Sequence, residues 1–409
     1  MNSLARDVTL IYAAAWLRSF GIGFLGVVLG VFLYRQGFNS TAIGLVVAAG
    51  LAGAAAATAI VTLKADRIGR RKTLFVLSLL TAAGVLPLIL GSGIAVLAPV
   101  AFFGMLNGMG TDRSAAFALE QAIIPGLVSD QRRTWSLAWY NLVLDASGAL
   151  GALAGGIPLV AERWWNMDLN ASYRALFICY VAASLVSGGL YLFLTSQVEI
   201  RDTKEPAKVL PATRATVTKL AALFSVDSLG GGLLTDALVS YWFFRRFGVA
   251  ENKLAILFFA VHVLNALSHL GAAALAKRIG LVKTMVFTHL PSSIFLIAAS
   301  FAPSARWAVA LFLLRESLVE MDVPTRQSYV AAMVRPSERT FASGITNLTR
   351  NMSWATSASV AGIFMQRVSL SFPLFLGGSL KIVYDLLLWR AFRHAAPPEE
   401  LGAATRPAT

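Results

Sequence analysis

The sequence predicts an all-α membrane protein in which twelve transmembrane helices form two pseudo-symmetric halves of six helices each. Of its 409 residues, 57% are hydrophobic and only 14% are charged, and a soluble protein could not bury that much apolar surface. The passage from Arg67 to Thr73 recurs from Arg278 to Thr284, and Gln121 recurs in the same way as Gln327. Repeats separated by about half the chain length indicate two homologous halves around a central site.

The twelve predicted helices are apolar runs between charged or Pro- and Gly-rich breaks. A helix that crosses the bilayer needs about 20 mainly apolar residues. Runs of this kind have the approximate bounds 8–34, 41–63, 73–91, 96–120, 134–160, 174–196, 218–243, 252–275, 283–302, 306–330, 340–365 and 370–392. The first run is too long for a signal-peptide core, so we expect it to remain as the first transmembrane helix.

One long polar connection divides these runs into two sets of six. The predicted domains are an N-terminal six-helix bundle at 1–196, a cytoplasmic linker at 197–217, and a C-terminal six-helix bundle at 218–409 with a short cytoplasmic tail. Lys and Arg are concentrated in the connections on the linker's side, as is usual for cytoplasmic loops. We therefore expect a multi-pass protein of the cytoplasmic (inner) membrane with both termini in the cytoplasm. The net charge of +14 has this topological cause, so nucleic acid is not an expected partner.

A short charged loop connects predicted helices 2 and 3. Its main residues are an acid and several cations around a glycine, namely Asp66, Arg67, Gly69, Arg70, Arg71 and Lys72. The loop from Leu63 to Lys72 resembles the Gly-x-Leu-Ala-Asp-Arg-x-Gly-Arg-Arg-Lys signature of the major facilitator superfamily, and the second-half copy has Lys277 where the first has Asp66. Together with the twelve runs and the repeat, this resemblance covers nearly the whole chain. It implies the fold of that superfamily and secondary transport.

The resemblance also implies that this loop is a cytoplasmic gate, which latches the two halves when the cavity opens outward. The cations around Asp66 can hold its carboxylate ionised, and such charge pairs can form in one conformation and break in another. The alternative is that the charges only enforce topology.

Two further patterns of the superfamily are incomplete. Residues 151–156 resemble the Gly-Pro-x-x-Gly-Gly stretch of proton-coupled exporters, but Ala152 stands where that pattern has Pro. Leu106 stands where many exporters carry a membrane Arg in helix 4. The small residues of helix 5 have close helix packing as an alternative role.

Charged residues at membrane depth mark the candidate transport site, because a charge there is costly unless it faces a water-filled cavity or a partner. The resemblance implies that helices 1, 4, 7 and 10 line the central cavity. The candidate residues of the substrate or proton cavity are Arg18, Asp112, Arg113, Asp145, Asp227, Arg315, Glu316 and Arg350. The alternative is that some of these charges only pair to hold helices together.

Arg18 and Asp227 have matching positions in this set. Each lies about ten residues, or about 15 Å, from the start of its helix. Aligning the Gly-x-Gly of 21–23 with that of 230–232 makes the two residues equivalent in the two halves. We therefore hypothesise that they face each other or the substrate across the midplane.

Motifs of other function classes are absent from the sequence. It has no Gly-x-x-x-x-Gly-Lys-Ser/Thr loop of an ATP-driven pump, and it has neither a His-Glu-x-x-His motif nor a nucleophile elbow, so it is not predicted to be an enzyme. His262 and His269 share a helix face, but no Cys or paired acid motif accompanies them. We interpret them as structural, and no metal or other cofactor is predicted.

The predicted function is secondary active transport of a small solute by alternating access. The favoured interpretation is proton-coupled export of a small organic compound, with membrane carboxylates as the groups that titrate. One alternative is uptake or exchange of an anionic metabolite, which the membrane arginines favour because Arg suits carboxylate and phosphate. Another is a non-transporting membrane sensor on the same scaffold. The expected partners are a small-molecule substrate, protons and the lipid bilayer, and the sequence predicts no particular oligomeric state.

Overall fold

A computed structural model describes residues 3–112, 114–128, 130–199, 210–334 and 338–393. The α-helices in these ranges are α1 (Ser3–Arg35), α2 (Ser40–Ile68), α3 (Arg70–Leu90), α4 (Ile94–Phe103), α5 (Ala115–Leu127), α6 (Asp130–Ala154), α7 (Ile157–Trp165), α8 (Leu169–Leu192), α9 (Pro211–Gly232), α10 (Asp236–Phe247), α11 (Glu251–Ile279), α12 (Leu281–Ser300), α13 (Ala305–Val319), α14 (Asp322–Met333), α15 (Arg339–Arg367) and α16 (Phe372–Phe392). A short 3-10 helix, Ser196–Val198, follows α8. These ranges contain no strand, so the predicted all-α fold class is confirmed.

Many of these helices are suited to a bilayer. Within the described ranges, nine helical spans are long and apolar enough to cross a membrane. Two further apolar helices, Ile94–Phe103 and Ala115–Ile124, are shorter. The prediction of a multi-pass helical membrane protein is confirmed, whereas the count of twelve transmembrane helices stays a prediction.

Four of the predicted runs are not single helices. The run at 96–120 is divided into α4 and α5, the run at 134–160 into α6 and α7, the run at 218–243 into α9 and α10, and the run at 306–330 into α13 and α14. Each of these four runs therefore contains a break within the predicted span. Irregular backbone at membrane depth is tolerated only where it is buried in protein or lines a cavity, so the breaks indicate where a site can be built.

Glycine accounts for the longest break, between α4 and α5. Gly110 has a φ of +80°, which a residue with a Cβ rarely adopts. Ser114 then starts α5, because its side chain accepts a hydrogen bond from Phe117 N over 3.2 Å and so caps the helix.

The chain divides by contact into two compact units. The first contains the described residues of 1–203, 234–263 and 355–370. The second contains those of 204–233, 264–354 and 371–409. The predicted domains 1–196 and 218–409 follow the sequence repeat, whereas these units follow contacts. The domain bounds therefore stay a prediction.

In the first unit, α1 packs against α6, α8 and α10. Segments from late in the chain join this unit through hydrogen bonds. Ala237 N donates to Gly108 O over 3.0 Å, and Thr41 Oγ1 donates to Gln366 Oε1 over 2.6 Å. The unit is therefore built from both sequence repeats.

A buried acid at the start of α11 fastens the C-terminal end of α1, which is predicted to be extracellular. Arg35 Nε donates to Glu251 Oε1 over 2.6 Å, and the Tyr173 hydroxyl donates to the same oxygen over 2.8 Å. Glu251 is fully buried. These bonds, one of them from a cation, offset the cost of removing a carboxylate from water.

In the second unit, α12 packs against α13, α14 and α16, and α16 also packs against α9. The apolar core of this packing includes Phe224, Tyr329, Tyr384 and Leu388. The same helices carry the buried charges of this unit.

The contact between α2 and α4 depends on glycine. A methyl group added at Gly53 would overlap the carbonyl oxygen of Phe102, and one added at Gly50 would overlap that of Leu106. Small residues let membrane helices approach backbone to backbone in this way.

We expect Gly53→Ala to lower the free energy of unfolding by about 1–3 kcal/mol, because overpacking forces the two backbones apart. The measurement is the thermal unfolding of purified protein in detergent. Gly189→Ala on α8 is the matched control, since a methyl group there meets no atom within 4 Å. Equal melting temperatures of the two variants would contradict the close contact.

Candidate functional site

A buried ionic cluster lies in the first unit, and we call Arg18, Asp112, Glu120, Tyr140 and Tyr191 the first cluster. Arg18 Nε donates to Asp112 Oδ2 over 2.7 Å. Arg18 Nη1 and Nη2 donate to Glu120 Oε1 and Oε2 over 3.2 and 2.5 Å. The hydroxyls of Tyr191 and Tyr140 donate to the same two oxygens over 2.5 and 2.6 Å. The side chain of Arg18 is 8% exposed and both carboxylates are 0% exposed, so one guanidinium holds two carboxylates away from water.

Four helices and the break before α5 place these groups. Arg18 projects from α1, Glu120 from α5, and the two tyrosines from α6 and α8. Asp112 lies in the break, where its Oδ1 accepts a hydrogen bond from Ser114 N over 3.0 Å. This local bond is typical of an Asp at a turn, and it fixes the carboxylate at the entry to α5.

A second buried cluster lies in the second unit, and we call Asp227, His289, Asp322, Arg326, Lys381 and Asp385 the second cluster. Lys381 Nζ donates to Asp227 Oδ1 over 2.7 Å. Arg326 Nη1 donates to Asp227 Oδ2 over 3.2 Å and to Asp322 Oδ2 over 2.8 Å. None of the six residues is more than 5% exposed. The pairs join α9 to α14 and α16.

His289 connects two parts of the second cluster. Its Nδ1 lies 3.0 and 3.1 Å from the two carboxylate oxygens of Asp385. Its Nε2 lies 3.4 Å from Lys381 Nζ and 3.6 Å from Asp227 Oδ1. An ammonium group only donates, so Nε2 accepts from Lys381, and Nδ1 carries the hydrogen and donates to Asp385. With the ring hydrogen placed in this way, the imidazole is neutral; a second hydrogen on Nε2 would remove the bond from Lys381.

The two clusters occupy equivalent positions of the sequence repeat, with the charges exchanged. Glu120 and Arg326 are separated by the same number of residues as the repeated glutamines at 121 and 327, so they are equivalent positions of the repeat. Arg18 and Asp227 are equivalent positions when the two Gly-x-Gly stretches are aligned. The first and fourth predicted helices of each repeat are therefore joined by an ion pair at the same two positions, and the sign of each charge is inverted between the repeats.

Three of the predicted site residues lie in these clusters: Arg18 and Asp112 in the first, and Asp227 in the second. The hypothesis that Arg18 and Asp227 face each other or the substrate across the midplane stays a prediction. Each has an opposite charge within hydrogen-bond distance in its own unit, so neither needs the other to offset the cost of burial.

The other predicted site residues have different surroundings. Arg315 pairs with its neighbour Glu316 on α13. Arg350 is half-buried, its Nε donates to Ser228 Oγ over 3.1 Å, and its guanidinium lies 4.7 Å from the ring centre of Trp354. The remaining two are Asp145, which is half-buried on α6, and Arg113, which lies outside the described residues. Contact of these residues with a substrate stays a prediction.

Sequence reasoning missed Glu120 and His289. The signal for Glu120 was its position beside a repeated glutamine, which matches it with the charged Arg326. His289 has no such signal, because its partner Asp385 is distant in the chain. Lys381 and Asp385 are also charged residues at membrane depth, but they lie in the twelfth predicted run, and the resemblance implies that helices 1, 4, 7 and 10 line the cavity.

The signature loop is bound at the N-terminus of α3. Gly69 forms the turn between α2 and α3 with a φ of +103°. Glu199, just after the 3-10 helix, accepts hydrogen bonds from Arg70 N over 2.6 Å and from Arg71 N over 3.2 Å. A carboxylate at this position caps the helix and interacts favourably with its dipole.

The remaining gate residues have fewer described contacts. Arg71 Nη2 donates to Leu192 O over 2.7 Å. Arg67 and Lys72 are exposed, and the side chain of Asp66 lies outside the described residues. The gate role of this loop therefore stays a prediction.

The chemistry available in both clusters is that of ion pairs and protons. Within the described ranges, no three His, Cys, Asp or Glu side chains are grouped so that they could hold a metal ion. Carboxylates, imidazole and ammonium groups in a low-dielectric interior can exchange partners when a proton is added.

Comparison with known proteins places the chain among membrane transporters. A sequence model of the Major Facilitator Superfamily matches residues 11–244. The chain is 26% identical over 419 aligned positions to the "Uncharacterized membrane protein YJR124C" of Saccharomyces cerevisiae, covering 94% of this chain and 93% of that protein.

Two solved structures share the fold at low identity. The structure of the nucleoside transporter NupG has a TM-score of 0.73 and 13% identity, covering 94% of this chain and 99% of that chain. The structure of a D-xylose-proton symporter has a TM-score of 0.71 and 13% identity, covering 95% of this chain and 98% of that chain. These likenesses and the match over 11–244 confirm the fold that the signature loop predicted.

We expect Glu199→Gln to lower the free energy of unfolding by about 1 kcal/mol, because the N-terminus of α3 loses an ionised cap. Thermal unfolding in detergent measures the change. Glu162→Gln, at an exposed position of α7, removes the same charge as a control and should be nearly neutral. An equal effect of the two substitutions would show that Glu199 contributes only net charge.

Proposed function

This chain belongs to the major facilitator superfamily, and on that premise we propose that it exports a small organic compound in exchange for protons. Its family and its fold make it a multi-pass membrane protein and a secondary transporter. The substrate class, the direction of transport and the coupling ion are our proposals. The cytoplasmic (inner) membrane and the cytoplasmic position of both termini are proposed with them, on the distribution of Lys and Arg.

The observation that carries proton coupling is the position of His289 in the second cluster. Imidazole is the side chain whose charge changes most readily near neutral pH. It lies 3.0 Å from Asp385, 3.4 Å from Lys381 and 3.6 Å from Asp227. Any change in its charge therefore acts directly on an ion pair that joins α9 to α16.

Charge counting favours one proton in this cluster. Its three carboxylates face two fixed cations, Arg326 and Lys381, when His289 is neutral. The half-buried Glu320 and Arg350 add one charge of each sign at its edge. A single negative charge is left in a low-dielectric interior, where it is costly, and protonation of His289 neutralises it.

The proton would also change the hydrogen bonds. A protonated His289 has a hydrogen on Nε2 and can no longer accept from Lys381, so the two cations repel each other. Nε2 can instead donate to Asp227 Oδ1, which lies 3.6 Å away. We propose that this exchange of partners at Asp227 links proton binding to movement of α9 relative to α16.

The alternative of an anionic substrate has less support. Two of the arginines that favoured it are paired with carboxylates in the structure: Arg18 with Asp112 and Glu120, and Arg315 with Glu316. The D-xylose-proton symporter, by its name, couples a sugar to protons on this fold, which supports proton coupling and not the direction of transport.

For the signature loop we propose the predicted gate role. Glu199, at the start of the linker, accepts hydrogen bonds from Arg70 N and Arg71 N and so holds the N-terminus of α3. Asp66, Arg67 and Lys72 would latch the halves 1–196 and 218–409, which the linker 197–217 joins.

The test is transport by His289→Gln in proteoliposomes loaded with a pH-sensitive dye. Drugs, sugars and organic acids are first screened for a raised melting temperature of wild-type protein, and a compound that stabilises it is used as the substrate. Wild type should acidify or alkalinise the vesicles when the compound moves. His289→Gln should lose this proton movement at least tenfold and keep exchange of labelled compound across the membrane.

His269→Gln on α11 is the matched control and should keep both activities. Proton movement that survives in His289→Gln would contradict the role of the second cluster. A wild-type protein that moves none of its ligands, even in exchange with itself, would indicate the sensor alternative.

A further inference from the structure

We propose that Asp236 and His262 form a binding site for an organic cation that carries an ammonium group. Both residues belong to the first unit and lie outside the two clusters. The inference deepens the proposed function, because it rests on that function for export of the bound compound and names the class of that compound. Binding itself is a property of the folded chain, and it can be measured without transport.

Asp236 is an acid at membrane depth that keeps contact with solvent. Helix α10 contains 12 residues, Asp236–Phe247, so at about 1.5 Å per residue Asp236 lies about 16 Å from the predicted extracellular end of that helix. Its side chain is 17% exposed, whereas those of Asp112 and Glu120 are 0% exposed. A charged side chain at this depth faces the interior of a bundle or a water-filled cavity. A ligand can therefore reach the carboxylate of Asp236.

Two interrupted helices hold this carboxylate in place. Ala237 N donates to Gly108 O over 3.0 Å, which joins the start of α10 to the break between α4 and α5. A methyl group added at Gly110 would overlap Asp236 Oδ2, and one added at Gly26 on α1 would lie 3.2 Å from Asp236 Cβ. The carboxylate therefore lies against the backbone of the break, and discontinuous membrane helices are where transporters bind substrates and ions.

His262 on α11 supplies the second polar group. Its Nε2 lies 4.0 Å from Asp236 Oδ2, and its side chain is 4% exposed. The other ring nitrogen is nearer to α6, since a methyl group added at Gly148 would lie 3.8 Å from His262 Nδ1. With its hydrogen on Nδ1, a neutral imidazole accepts at Nε2. One donor group of a ligand, at about 2.8 Å from each atom, can then contact both acceptors.

The chemistry of this pair favours an ammonium group. An ionised carboxylate only accepts hydrogen bonds, and a primary or secondary ammonium has a separate N–H donor for each of the two acceptors, whereas a hydroxyl has one donor. Hydrogen bonds between opposite charges are about twice as strong as neutral ones. The N-terminus of α10 stabilises the ionised form of Asp236, and the same charge repels anionic compounds.

The competing role is the structural one that the sequence favours for His262. A pair that only fastened α10 to α11 would be buried on both sides and within hydrogen-bond distance, as the pairs of the first cluster are. The Asp236 side chain is instead partly exposed, and 4.0 Å separates its Oδ2 from His262 Nε2. This geometry suits a pair that a ligand completes.

Labelling of a cysteine placed beside Asp236 tests the inference. Met109→Cys, in a Cys179→Ser background, puts a thiol in the break next to Gly110. Purified protein is treated with two methanethiosulfonate reagents of similar size, the cationic 2-aminoethyl compound and the anionic 2-sulfonatoethyl compound. The rate for the cation divided by the rate for the anion should be about tenfold higher than at Met167→Cys, because a charged wall concentrates the opposite charge. Met167 is 44% exposed and gives the intrinsic ratio of the two reagents.

Three variants identify the groups responsible. Asp236→Asn should lower the ratio at Met109→Cys about tenfold, because the charge that selects the cation is lost. Glu162→Gln removes a charge at an exposed position and should leave the ratio unchanged. His262→Gln should lower the rate for the cation about threefold and leave the rate for the anion unchanged, because the bound cation loses an acceptor.

Several results would overturn the proposal. One is a Met109→Cys protein that reacts with neither reagent, since solvent would then not reach the carboxylate. Others are a ratio that Asp236→Asn leaves unchanged and a cation rate that His262→Gln leaves unchanged. Should Asp236→Asn not fold, equal ratios at Met109→Cys and Met167→Cys would overturn it in the same way. His289→Gln should not alter the ratio, so failure of the proposed proton coupling and failure of this site are distinguishable.

Discussion

The buried ion pair between the first and fourth predicted helices is the interaction on which each unit depends. A single charge at membrane depth is costly, and it is tolerated when the opposite charge lies within hydrogen-bond distance. Arg18 meets that condition through Glu120 and Asp112, and Asp227 through Lys381 and Arg326. Because the partners lie on different helices, the same bonds fix how those helices pack.

The two repeats meet this constraint with opposite signs. Arg326 stands at the position equivalent to Glu120, and Asp227 at the position equivalent to Arg18. Because both charges are inverted together, each repeat keeps an ion pair at these two positions. In the second cluster three carboxylates face two fixed cations, Arg326 and Lys381, and the proton proposed for His289 neutralises the difference. In the proposed function, an arrangement that holds helices together at one proton occupancy is less stable at another, which would link this ion pair to a transport cycle.

Much of the fold was readable from the sequence because it depends on composition and spacing. The apolar runs, the repeat and the loop from Leu63 to Lys72 predicted the fold class and the family correctly. The breaks in four helices were not readable, since the predicted runs are long enough for one membrane span each and no Pro stands at the break positions. The contacts of Arg18 with Glu120 and Asp112 were not readable, because equivalence in a repeat does not show which residues touch. The proposed role of His289 depends on Asp385, which no local pattern connects to it.

The most direct test of this account is a pair of double-mutant cycles on the free energy of unfolding in mixed micelles. One cycle combines Arg18→Gln with Glu120→Gln, and the other combines Arg18→Gln with Asp227→Asn. The account predicts a coupling energy of about 1–3 kcal/mol in the first cycle and additivity within about 0.5 kcal/mol in the second. Additivity in the first cycle together with coupling in the second would contradict it, because Arg18 would then be compensated by Asp227 and the two units would not each contain their own ion pair.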